Sequence, residues 1–208
     1  MPSQSKRIFF GDYVFFVDEN VYEPAEDSFL FAENLNVEAG ESILDMGTGC
    51  GLLGVLAAKK DAGSVLAVDV NPFALRCAKR NAGLNNTRSN MDFLQSDLFA
   101  SFHTAAKFDV ILFNAPYLPT EKTEGKSWLE RAWTGGETGR KIIDRFISEA
   151  PQHLKSSGYI LLMQSTLTSV DETVCEFAEQ RMQTSIVVEL AEPFFETITL
   201  VRAESTQH

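Results

Sequence analysis

Three carboxylates and a run of glycines are spaced so that one small cationic ligand could be held among them. Asp45 opens Asp45-Met46-Gly47-Thr48-Gly49-Cys50-Gly51, directly after the apolar pair Ile43-Leu44. Glycines between a strand and a helix let the backbone turn sharply and approach a ligand. Gly49-Cys50-Gly51-Leu52-Leu53-Gly54 also satisfies the dinucleotide fingerprint. Charge separates the two readings. A dinucleotide brings a doubly anionic pyrophosphate to this loop, and Asp45 would repel it. S-adenosylmethionine brings an ammonium and a sulfonium, which Asp45 attracts, and a carboxylate suited to the N–H groups of the loop. The fingerprint glycines also begin four residues past Asp45 rather than at the strand end. Asp69 closes Val65-Leu66-Ala67-Val68-Asp69, a place that suits acceptance from both ribose hydroxyls. NAD enzymes use an acid there too, so Asp69 does not discriminate. Asp97, in Gln95-Ser96-Asp97-Leu98, follows the next apolar run. It suits an adenine amino group, with the Leu98 N–H toward a ring nitrogen. Taken alone, Asp97 reads equally well as a cap or turn residue.

After a further apolar run comes Phe113-Asn114-Ala115-Pro116-Tyr117. It resembles the Asn-Pro-Pro-Tyr motif of amino methyltransferases, which act on nitrogens conjugated with a neighbouring π system. Such a nitrogen is a poor nucleophile, so the enzyme must hold its N–H bonds and aim its lone pair. The Asn114 side-chain oxygen and the residue 115 carbonyl offer two acceptors for the two hydrogens of one NH₂. Positioning of this kind lowers a barrier by up to roughly 7–11 kcal/mol. Pro116 stiffens the turn, and Tyr117 can pack on a planar group. Ala115 departs from the motif. Its carbonyl is kept and its rigidity is lost, so reduced preorganisation rather than loss of function is expected.

Two flanking segments narrow the resemblance: Val21-Tyr22-Glu23-Pro24-Ala25-Glu26-Asp27-Ser28-Phe29-Leu30 and Leu129-Glu130-Arg131-Ala132-Trp133-Thr134-Gly135-Gly136-Glu137-Thr138-Gly139-Arg140, continuing to Asp144-Arg145-Phe146. With Asp45 to Gly51, Asp69, Asp97 and Asn114, they resemble the HemK-type protein-glutamine N5-methyltransferases, in the archaeal and eukaryotic branch that modifies class I release factors. The resemblance implies S-adenosyl-L-methionine as cofactor and the glutamine of a Gly-Gly-Gln loop as acceptor. It places Ser28 at the methionine end of the donor, Asp45 and Gly47 around its amino-acid moiety, Asp69 at the ribose, and Asp97 with Leu98 at the adenine, with Gly49 a further cofactor-binding residue. Asn114 would serve donor and acceptor sides alike, with Pro116 and Tyr117 completing the catalytic set. Tyr22 and Glu26 are put near the pocket by resemblance only. Bacterial relatives carry an extra helical domain; about forty residues precede Ile43 here, which favours the shorter branch. That branch often works with a small zinc-binding activator subunit, which would add a strand beside the one from Met91 to Leu94.

The elements that must position these residues alternate. Strands are expected over 42–46, 64–68, 91–94, 110–113 and 159–163, and helices over 52–60, 72–81, 140–150 and 170–181. Alternation implies a mostly parallel sheet with helices on both faces. Two last strands, 186–190 and 197–201, are too close for a parallel crossover and must pair antiparallel. The expectation is a Rossmann-like class I methyltransferase α/β fold, with a seven-stranded, mostly parallel sheet ending in an antiparallel hairpin. It is one domain over 1–208: an N-terminal hairpin and helix over 1–40, and a catalytic core over 41–208. The hairpin turns at Gly11-Asp12, and a helix runs from Phe29 to Leu35. No element is placed over 115–138. Trp133 reads as groove wall or loop anchor, Gly135-Gly136 as hinge or tight turn, and the aromatic hairpin as core packing more than pocket cap.

Composition bounds the rest. The 208 residues are 44% apolar and 23% charged, with net charge −11. That acidity disfavours a nucleic-acid substrate, so adenine-N6 methylation of RNA or DNA is the alternative rather than the lead. The three cysteines, Cys50, Cys77 and Cys175, and the three histidines lack metal-ligand spacing, so no metal is expected. Cys50 reads as a small filler. The absence of a leader-like start or an apolar span points to the cytoplasm.

Overall fold

The computed structural model describes residues 5–120, 127–193 and 196–206; His208 and the first four residues lie outside them. β1 (Lys6–Phe10) and β2 (Tyr13–Val17) form the expected hairpin, followed by α1 (Glu26–Glu33). Then β3 (Ser42–Met46), α2 (Leu52–Lys59), β4 (Ser64–Asp69), α3 (Pro72–Leu84), β5 (Met91–Gln95) and β6 (Phe108–Asn114) alternate. They are followed by α4 (Trp128–Arg131), α5 (Lys141–Glu149), β7 (Leu154–Ser165), α6 (Val170–Glu179), β8 (Met182–Ala191) and β9 (Thr197–Ser205).

The seven-stranded sheet has the order β5-β4-β3-β6-β7-β9-β8. β3 to β7 run parallel, and β9 is inserted antiparallel between β7 and β8. Strand side chains alternate between two cores. Ile43, Val110 and Leu112 enter one with α2, α3 and the hairpin; Leu44, Ile111 and Phe113 enter the other with α5 and α6. Among the described residues no helix is long and apolar enough to cross a membrane.

The topology dictates where a ligand belongs. From β3 the chain builds outward through β4 and β5, then returns to place β6 on the other side of β3. Connections leaving adjacent β3 and β6 diverge, and the carboxyl ends of those strands open a crevice. Gly47 keeps it open: its φ is +65°, and a Cβ there would meet the Phe113 ring at 3.3 Å.

Beyond shifted bounds, such as α1 over Glu26–Glu33 instead of 29–35 and β7 and β8 starting at Leu154 and Met182, two expectations need correcting. α3 continues past residue 81 to Leu84. Asn81 is no terminator; its side chain is spent on the hairpin, accepting from Phe16 N at 2.9 Å and donating to Phe16 O and Cys50 O at 2.8 Å. Asn85, one turn on, grips Val14 in the same way. The hairpin is thus docked on α3 with Phe15 wholly buried, which is the core-packing role. Second, the stretch without an expected element contains α4, opened by a Ser127–Glu130 capping box. Four residues are too few for helical periodicity to register. Residues 121–126 of that stretch lie outside the described residues.

Candidate active site

Ser28, Asp45, Gly47, Gly49, Asp69, Asp97, Leu98, Asn114, Pro116 and Tyr117 all line one cavity of about 590 Å³. Tyr22 and Trp133 line it too, whereas Glu26 does not. Trp133 is therefore cavity wall. Gly136 has φ +82°, and a Cβ on Gly135 would meet the Gly139 carbonyl at 2.2 Å, so this segment is a tight turn.

At the base of the crevice, Asp45 is 1% exposed. Its Oδ2 accepts from Thr48 Oγ1 at 2.6 Å and from Gly54 N at 2.9 Å. Burial raises this carboxyl from 3.8 to about 7, against the opposing effect of those two donors. Gly54 is needed beside it, since a Cβ there would lie 2.8 Å from Oδ2. Asp69 is likewise pushed up by burial. Its Oδ1 accepts from Asn71 N at 2.8 Å and its Oδ2 from Gly49 N at 2.9 Å. Each oxygen keeps lone-pair capacity for a hydroxyl. Several loop N–H groups are already committed: Gly49 to Asp69, Thr48 to Val68 O and Gly51 to Thr48 O. The Gly49 N–H thus braces Asp69. Asp97 is a side-chain ion-pair partner, with Arg145 Nη1 at 3.2 and 3.4 Å from its two oxygens. Leu98 has φ +46°, a left-handed conformation in a non-glycine residue.

Across the crevice, Asn114 ends β6. Its Nδ2 donates to Asp27 Oδ2 and to Ser28 Oγ, both at 3.1 Å. Asp27 Oδ2 also accepts from the Tyr117 hydroxyl at 3.4 Å. Asp27 Oδ1 accepts from Ser28 N at 2.6 Å and Ser28 Oγ at 3.1 Å. Four donors therefore engage one carboxylate, about its full acceptor capacity. This fixes the orientation of the Asn114 amide and leaves Oδ1, a buried acceptor, without a hydrogen-bond partner. Orphaned buried acceptors are rare and costly. Burial and the nearby Asp27 charge push the Tyr117 phenol above its ordinary value; Tyr22 responds in the same way.

Asp27 is the functional residue that sequence reasoning passed over. An acid in the first turn of a helix reads as a complement to the dipole; its place beside Ser28 was the available signal. Position 115 gains an explanation as well. The Ala115 N–H, which proline would lack, donates to Met163 O at 3.3 Å, so a hydrogen bond fixes the turn where the motif uses a ring.

A parallel sheet extended by an inserted antiparallel strand, with acids at or just past the carboxyl ends of three neighbouring strands around a single cavity, defines a class I methyltransferase. Residues 19–131 match the methyltransferase small domain family. A Methanocaldococcus jannaschii protein assigned as an N5-glutamine methyltransferase is 44% identical over 181 residues, 86% of this chain and 90% of that protein. The mouse methyltransferase HEMK2 is 34% identical over 69% of this chain and 71% of its own length. In structure, the chain resembles that of the E. cuniculi Mtq2–Trm112 complex, which is responsible for methylation of the eRF1 termination factor. The TM-score is 0.70 at 24% identity, covering 90% of this chain and 99% of that one. The chain belongs to the methyltransferase small domain family and, within it, to the HemK-type protein-glutamine N5-methyltransferases.

Proposed function

We propose that this enzyme uses S-adenosyl-L-methionine to methylate the side-chain amide of the glutamine in a Gly-Gly-Gln loop of a class I translation release factor. The observation that carries the reading is the unpartnered Asn114 Oδ1, buried at the cavity wall while its amide nitrogen is tied to Asp27 and Ser28. A buried acceptor held in this way suits an N–H of an incoming planar NH₂.

The residues fit the donor. The cavity is of a size usual for small-ligand sites. Its polar groups match a molecule that is cationic at sulfur and nitrogen and carries a diol and an aminopurine. Asp69 would take the ribose hydroxyls, Asp97 and the Leu98 N–H the adenine, and Ser28, Asp45 and Gly47 the amino-acid end, with Gly49 supporting Asp69. The bound donor supplies a methyl group on a cationic sulfur. The chain supplies orientation. Asn114 Oδ1 and the Ala115 carbonyl would hold the two amide hydrogens, which turns the nitrogen lone pair toward the donor side of the cavity. On transfer the nitrogen would gain the methyl as the sulfur–methyl bond breaks to leave a neutral thioether, and one N–H proton would pass to solvent; the same acceptors favour the positive charge that develops on nitrogen. Pro116 keeps the turn, and Tyr117, anchored on Asp27, would wall the amide plane.

The whole chain acts as one catalytic domain in the cytoplasm, with Val21, Tyr22, Pro24 and the first turn of α1 forming one wall of the site. β5 is an edge strand of the sheet, which supports docking of a small zinc-binding activator beside Met91 to Leu94. The test is incubation with methyl-labelled donor, a cognate release factor and, separately, RNA or DNA, with and without such an activator. Label on the Gly-Gly-Gln glutamine is expected. Label in nucleic acid alone overturns the reading.

A further inference from the structure

Asp97 has a fixed backbone and an exposed side chain. Ser96 N donates to Asp69 O at 3.2 Å and Ala100 N to Asp97 O at 3.1 Å, while Leu98 is held left-handed. The Asp97 side chain itself is 57% exposed. A carboxylate that open can turn toward water unless another group holds it. Arg145 is that group. It lines the same cavity and sits on α5, which is anchored by Ile143, Phe146 and Ile147, each at most 1% exposed. Phe146 packs on Phe113 at 4.5 Å and on Phe99 at 5.9 Å between ring centroids. The helix is thereby locked both to the strand carrying Asn114 and to the loop carrying Asp97.

We propose that Arg145 is a positioning residue of the donor site. By holding the Asp97 carboxylate on the cavity wall, it sets the preference for a nucleobase that bears an amino group. This rests on the donor reading above. One guanidinium nitrogen touches both carboxylate oxygens, so the contact orients Asp97 and leaves acceptor capacity on each oxygen. It also uses the charge of Arg145 rather than its fork, so a lysine should substitute.

The experiment is calorimetric binding of S-adenosylhomocysteine and S-inosylhomocysteine, whose purine carries a carbonyl in place of the amino group. It compares wild type with Arg145→Met and Arg145→Lys, each also in an Asp97→Asn background. Arg145→Met is expected to weaken the adenosyl ligand roughly fivefold, the scale of an exposed charge pair. The inosyl ligand should be unaffected, so the ratio between the two shrinks. Arg145→Lys should restore most of that ratio, and Arg145→Met should have no further effect in Asp97→Asn. Equal weakening of both ligands, an unchanged ratio, or a full effect without Asp97 overturns the proposal while leaving the donor reading intact. Failure of the wild type to bind S-adenosylhomocysteine overturns both.

Discussion

Asn114 Nδ2 lies 3.1 Å from Asp27 Oδ2, joining the end of β6 to the first turn of α1 across 87 positions of sequence. A carboxylate offers only acceptors, so the contact decides which end of the Asn114 amide is left without a protein partner. Without it, an asparagine at a strand end could present either its oxygen or its NH₂.

Asn114→Ala should therefore lower methyl transfer by about 10²–10³-fold, the usual loss on removing one preorganised polar group at a reacting centre. Affinity for S-adenosylhomocysteine should stay within about twofold if substrate orientation is the main role of Asn114. Single-turnover rates and calorimetry check the pair; equal loss of both contradicts the assignment.

Asp27→Asn places an NH₂ opposite the Asn114 NH₂. The cheapest relief is a flip of Asn114 that turns its donor end to the acceptor amide. Transfer is expected to fall by at least about tenfold with donor affinity nearly unchanged. A variant with wild-type turnover would show that the Asp27 contact does not set the amide.

Gly54→Ala adds a methyl 2.8 Å from Asp45 Oδ2. In the first turn of α2, alanine gains at most about 1 kcal/mol of helix propensity over glycine, which offsets part of the local clash. Donor affinity should drop about tenfold or more while the melting temperature moves little, because the damage falls on the buried carboxylate. Thermal unfolding and donor titration of the same sample test this.

Asp45 gives a pH signature. Its carboxyl is raised from 3.8 to about 7 by burial, so the folded protein holds this proton more tightly than the unfolded chain. The stability linked to it is fully present below 3.8 and is lost as pH rises to about 7. Asp45→Asn removes that dependence, so the variant should gain on wild type as pH rises from 3.8 to about 7 in unfolding experiments. A pH-independent difference would show that Asp45 does not hold the proton. Donor affinity of the wild type should rise through the same range, since a cationic donor favours the ionised carboxylate.

Arg140 is 4% exposed. Its Nη1 donates to Thr168 O at 2.6 Å, Ser169 O at 3.1 Å and Thr173 Oγ1 at 3.0 Å, and Nε lies 2.9 Å from Asp144. Arg140→Gln should cost about 2–3 kcal/mol in denaturant unfolding, because buried carbonyls lose a charged donor while the partly exposed acids can rehydrate. Transfer should fall as well, since the adjoining Gly139 packs directly on the Tyr117 carbonyl; a Cβ there would lie 2.4 Å from it.

Much of the fold was legible along the chain. The apolar run containing Ile43 and Leu44 identified β3 to the residue, and alternation with helices implied a parallel sheet. α4 escaped because one helical turn has no period to detect. The donor reading came from residue types alone, Asp45 beside glycines; the charge on that carboxyl depends on the packing that raises its pKa to about 7.

What the sequence determined by itself is therefore the order of the elements and the types of group at each strand end, because periodicity and charge are properties of neighbours in the chain. The tertiary structure alone decided how those groups are used: that Asp27 orients Asn114, that Arg145 holds Asp97, that Gly49 serves Asp69, and that Ala115 is fixed through Met163. Each is a hydrogen bond or ion pair between residues far apart in sequence, and its directional geometry exists only once packing has brought the partners within about 3 Å of one another.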